Sequence, residues 1–122
     1  MADKLEALRG LLAKVEAGTL FDPRLQYVPR TTIDMISSAV GADHWESVEA
    51  AYLMGSMNAA QSLHEALLPK GQWPGDRWMI WQSGEDFGCS IVDGIDTTYA
   101  PTRSRAWLAA ILMALIAQED AP

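Results

Sequence analysis

The segment that most constrains this fold is the longest apolar run in the chain, Ala106 to Ala117. It is too short to cross a bilayer, which takes about 20 residues. Trp107, Leu108, Ile111, Leu112, Leu115 and Ile116 give it a broad apolar face at helical spacing. Ala106, Ala109, Ala110 and Ala114 fill the flanks, so little polar surface remains. Such a helix has to be buried on most sides. The other elements must therefore supply its cover. Thr102, just after Pro101, is placed to cap this helix, which we expect over residues 103–118.

Helical spacing also marks the first half of the chain. Leu5, Leu8, Leu12 and Val15 form one stripe over 3–17, with Asp3 and Glu6 at capping-box spacing and Gly18 as a stop. Residues 19–30 carry Pro23 and Pro29 without a period and read as an ordered loop. Thr31 or Thr32 would cap a helix over 31–40, ended by Gly41. Asp43, with Glu46 three residues on, would cap a long helix over 44–68. Trp45, Val48, Tyr52, Met57, Ala60, Leu63 and Leu67 mark its stripe. Gly55 lies in the middle, where glycine costs about 1 kcal/mol relative to Ala. A close packing contact or a kink is expected there.

The period then changes. Residues 77–82 are rich in Trp and Ile, and 87–93 alternate, with Phe87, Cys89 and Ile91 on one face and Gly88, Ser90 and Val92 on the other. A turn around Gly84 makes them an antiparallel hairpin. Residues 95–99 add a short third strand. Helices and strands segregate along the chain, which implies an α+β fold. Three to four helices would pack on a two- to three-stranded antiparallel meander in a layered sandwich.

Composition narrows the function classes. At 122 residues, with 49% hydrophobic and 20% charged residues, the chain suits a single globular domain over 1–122. Nine basic residues face sixteen acidic ones, for a net charge of -7. No basic stripe is available to displace counterions, so nucleic acid is an unsuitable direct ligand. The acidity fits solubility or docking on a basic partner surface. A lone cysteine, Cys89, and an N-terminal stretch without an apolar signal segment lead us to expect a reducing cytoplasm and no membrane.

No catalytic or metal signature emerges. His44 and His64, read on one continuous helix, stand about 30 Å apart at about 1.5 Å per residue. They would be surface or helix-end residues. One Cys and two distant His cannot furnish the three or four convergent ligands of a zinc site. Asp93 and Asp96 beside Gly94, and Glu85 and Asp86 in the hairpin turn, read as solvated turns. No cofactor is implied.

Two places could bind something. Thr102, Arg103, Ser104 and Arg105 stand at a helix start, where free N–H groups and two guanidinium groups suit an anion such as a nucleotide phosphate. The plainer reading is a cap with two surface arginines. Trp73, Trp78 and Trp81 cluster around the first strand. By alternation Trp78 and Ile80 share one face, and Met79 and Trp81 the other. One face then leaves a Trp uncovered unless a helix or partner covers it, and Trp is enriched at interfaces.

The stretch GSMNAAQSLHEALLP, the Trp-bearing hairpin and the closing TRSRAWLAAILMALIAQ together resemble small phage and prophage ABA-sandwich-domain proteins of alphaproteobacteria. The resemblance covers about residues 52–118. Arg103 stands where that pattern has Pro after the capping Thr, and Lys70 displaces the Gly after Leu-Pro. The resemblance implies helices on a sheet and a phage or prophage accessory gene, and carries no common activity. The leading expectation is a non-enzymatic protein that binds a host protein, such as a bacterial defence component, or a second copy of itself. The alternatives are a binder of a small nucleotide signal and an enzyme without a recognisable motif.

Overall fold

The computed structural model describes residues 3–21, 24, 27–68, 78–91 and 98–120. Trp73, Arg77, Asp93, Gly94 and residues 95–97 lie outside these, as do the side chains of Asp3, Trp78 and Met79. The architecture is α+β: among the described residues, five α-helices and one 3-10 turn pack on a three-stranded antiparallel sheet. In chain order these are α1 (Asp3–Ala17), α2 (Arg30–Val40), the 3-10 turn (Ala42–His44), α3 (Trp45–Leu53) and α4 (Met57–Leu67), followed by β1 (Trp78–Ser83), β2 (Asp86–Ile91), β3 (Thr98–Ala100) and α5 (Arg103–Asp120).

The apolar C-terminal helix is the centre of the molecule. Every residue from Ala106 to Leu112 is buried, as are Ala114 and Leu115. That uninterrupted run requires neighbours all round, and α5 touches all three strands on one side and α1, α3 and α4 on the others. The result is three layers: sheet, α5, then the remaining helices. Leu8, Leu11 and Val15 of α1, Ile36 of α2, Val48 of α3 and Leu63 of α4 complete the core.

The expected long helix over 44–68 does not form. It divides into the 3-10 turn, α3 and α4, with breaks on either side of α3. The second break has a local cause. Gly55 sits at φ +65, a left-handed conformation that terminates a helix. Ser56 then caps α4, its hydroxyl accepting from the Ala59 N–H at 3.1 Å. The Ala50 carbonyl receives both the Met54 and Ser56 N–H groups. The Ala51 carbonyl beside it accepts from the Ser104 hydroxyl of α5 at 2.7 Å. The small residues around Gly55 thus mark a bend held against the start of α5.

The other starts also differ from expectation. Neither Thr31 nor Thr32 caps α2: Pro29 takes that position, with φ -61, and its carbonyl accepts from the Thr32 and Ile33 N–H groups. Proline's fixed φ makes it a ready entry to the helix. Asp43 lies inside the 3-10 turn, and α3 has no side-chain cap. Gly18 ends α1 as expected, at φ 73.

The sheet order is β1-β2-β3. A two-residue turn at Gly84 and Glu85 sets the register, pairing Ser83 with Asp86, Trp81 with Gly88 and Ile80 with Cys89. Gly88 in turn pairs with Tyr99, and Cys89 with Thr98. Ile80, Cys89 and Thr98 therefore face the helices. Thr98 donates to the Ala106 carbonyl at 2.8 Å, fastening β3 to α5. Trp81, Gly88 and Tyr99 share the outer face.

Candidate functional site

The outer face holds the aromatic feature anticipated for the first strand. The Trp81 indole lies flat over Gly88: a Cβ added to Gly88 would stand 2.7 Å from Cε2, 2.8 Å from Cζ2 and 2.9 Å from Nε1 of the indole. No side chain could occupy that position with the ring in place. The indole then meets Tyr99 edge-on, with ring centroids 6.4 Å apart and planes at 88°. Tyr99 is 53% exposed and Trp81 half-buried. Among the described residues no helix covers this face. One row across three strands thus reads Trp81, Gly88, Tyr99, an aromatic shelf open to solvent.

Tyr99 was missed by the sequence reading, which placed it at the end of a strand over 95–99 without a role. Its signal is the meander register, which brings it opposite Gly88. Of the other tryptophans, Trp107 is core and Trp45 packs half-buried against the core.

At the start of α5 the hydroxyls are engaged internally. Thr102 caps the helix, its Oγ1 accepting from the Arg105 N–H at 3.2 Å. Ser104 is 1% exposed and donates to Ala51. The two guanidinium groups part company. Arg103 lies over the Phe87 ring of β2, 5.0 Å from its centroid. Arg105 lies over the Tyr52 ring of α3, 4.1 Å from its centroid. Tyr52 is itself braced edge-on by Phe21 at 5.4 Å. Arg105 Nε is buried and has no hydrogen-bond partner among the described residues.

Cys89 and His64 both sit in the core. Cys89 is fully buried on the inner face, and burial pushes its thiol up to about 12. It stays protonated at neutral pH, which suits a core residue and not a nucleophile. His64, expected at the surface or a helix end, is buried instead, and its Nδ1 accepts from Trp107 Nε1 at 3.0 Å. The break at Gly55 places His64 on a different helix from His44, so the single-helix separation no longer applies. Among the described residues no group of three His, Cys, Asp or Glu side chains could hold a metal ion. An open groove of about 310 Å³ lies between the end of α1 and the start of α2, lined by Lys14, Thr19, Leu20, Thr31, Thr32 and Met35 among others. No helix of the described residues is long and apolar enough to cross a membrane.

Comparison with family models, with curated proteins and with solved structures gave no match. The class defined by fold and site is therefore an α+β domain with a helix-backed sheet and an exposed aromatic row.

Proposed function

We propose that this chain is a non-catalytic binding protein that engages a protein partner through the outer face of its sheet. The carrying observation is the Trp81–Gly88–Tyr99 row. A tryptophan seated on a glycine is rigid, and its apolar ring can be desolvated by a partner at low entropic cost. Tyrosine and tryptophan side by side are the residue types that dominate binding energy at interfaces. The net charge of -7 favours a partner with a basic surface. The roles of Cys89 and His64 inside the core support a binding protein over an enzyme. The resemblance over residues 52–118 supports the wider setting: a phage or prophage accessory protein acting in the host cytoplasm, with a defence component as target. Affinity capture from bacterial lysate tests this reading, with wild type beside Trp81→Ala and Tyr99→Ala. A partner lost by both folded variants supports it. Identical recovery by all three ends it.

A second reading rests on Arg105. Its guanidinium is stacked on Tyr52 and its buried Nε is unpartnered, so a small anion such as a nucleotide phosphate would have to open this contact to reach it. Calorimetry against a nucleotide panel, with Arg105→Ala as control, separates the two. Heat abolished by Arg105→Ala favours the nucleotide. Silence across the panel removes it.

A further inference from the structure

We propose that Arg105, Tyr52 and Gly18 form a binding site for a small oxyanion, held by the Arg105 guanidinium and the Tyr52 hydroxyl. This deepens the second reading of Arg105 above and rests on it. It adds the groups beside Arg105 and narrows the ligand to the phosphoryl group itself.

Three helices meet at this point. Arg105 lies in the first turn of α5, Tyr52 in the last turn of α3, and Gly18 just after α1. The guanidinium carbon stands 4.1 Å from the Tyr52 ring centroid. An arginine carries five N–H donors in a planar fork. Among the described residues none of those of Arg105 has a hydrogen-bond partner, and Nε is buried in that state. The chain has sixteen Asp and Glu residues, yet among the described residues no carboxylate pairs with this cation. The carbonyl end of α1 lies close by, which suits a positive charge without supplying a bond.

Tyr52 is the second group in want of a partner. It is 4% exposed, and among the described residues its hydroxyl has no hydrogen bond. Buried polar groups are ordinarily bonded, so an unbonded phenol at that depth points to an acceptor from outside the chain. The hydroxyl and Arg105 Nη1 border the same space. A Cβ added to Gly18 would stand 3.9 Å from the Tyr52 hydroxyl oxygen and 4.0 Å from Nη1. Glycine, at φ +73, keeps that space clear of a side chain, and Gly18 itself is exposed. Nε stays covered, and Nη1 and the phenol are the donors within reach.

These donors select the ligand. A guanidinium edge beside a neutral O–H suits a compact oxyanion, each donor taking its own oxygen. The Tyr52 ring offers nothing to a nucleobase: Arg105 covers one face, and Phe21 meets the ring edge-on. The site therefore holds phosphoryl oxygens and leaves any attached group outside.

Calorimetry at constant ionic strength tests this with inorganic phosphate, adenosine monophosphate and adenosine. The two anions should bind within about tenfold of each other, and adenosine should give no heat. Tyr52→Phe keeps the ring and removes only the hydroxyl. It should weaken both anions by about tenfold or more, the scale of one hydrogen bond to a charged group. Arg105→Gln should abolish binding of both. Should Arg105→Gln fail to fold, Tyr52→Phe carries the test. Silence with both anions overturns the proposal together with the reading of Arg105 on which it rests. Monophosphate binding that is lost in Arg105→Gln but unchanged in Tyr52→Phe leaves that reading standing and overturns this one. So does binding of the monophosphate without phosphate, or phosphate binding that neither variant weakens.

Discussion

Gly88→Ala tests the aromatic row at its tightest point. The new methyl would stand 2.7 to 2.9 Å from three indole atoms of Trp81. Carbon contacts are comfortable at about 3.5–4.0 Å, so the ring has to lift by about 1 Å. Lifting breaks its edge-on contact with Tyr99, worth about 0.5–1.5 kcal/mol. Overpacking of this kind costs about 1–3 kcal/mol. Against this, alanine recovers about 0.5–1 kcal/mol of the chain entropy that glycine loses in a strand. The net expectation is a destabilisation of about 1–2 kcal/mol, dominated by the steric term. Urea unfolding reads the stability, and the Trp81 indole N–H resonance reads the displacement. The decisive arm is the same substitution in a Trp81→Ala background. There the steric term vanishes and Gly88→Ala should become neutral or stabilising. A stable single variant with an unmoved Trp81 resonance, or the same loss in both backgrounds, would refute the stacking argument.

Further expectations follow the same logic. Gly55→Ala should destabilise by about 1–2 kcal/mol, because φ +65 is strained for any residue with a Cβ; a gain would restore the continuous helix over 44–68. Ser104→Ala leaves the Ala51 carbonyl without its buried donor and should cost about 1–3 kcal/mol in urea unfolding; a change near zero would show that α3 and α5 are not joined there. Cys89 makes the fold sensitive to alkali. With its thiol raised from 9.0 to about 12 in the folded chain, its contribution is fully present below pH 9 and is lost as pH rises towards 12. Cys89→Ala should flatten the fall in stability over that window, and an unchanged profile would count against the buried thiol.

How much of this was legible in the sequence depends on the range of the interactions. The burial of α5 followed from its apolar faces alone, and the Thr102 cap from local chemistry. The hairpin was local too, because a turn at Gly84 fixes which residues face each other. Alternation alone left Trp81 on one of two faces, and the register then set it opposite Gly88. The break at Gly55 was hidden because its neighbours keep the helical apolar spacing on both sides, and a glycine does not announce the sign of its φ. Ser56 gave weak notice as a cap, since Ala59 and not Glu follows three residues on. Burial of His64 depends on Trp107, 43 residues away. The divergence of Arg103 and Arg105 depends on rings contributed by β2 and α3. Such partners are tertiary facts that no local pattern carries.

The account rests most heavily on the outer aromatic face as a protein-binding surface. The direct measurement places a photo-crosslinking amino acid at position 99 in living bacteria, with exposed position 16 of α1 as the distant control. The account predicts a discrete adduct of higher mass from position 99 and none from position 16. No adduct from position 99, or the same adduct from both, would contradict it.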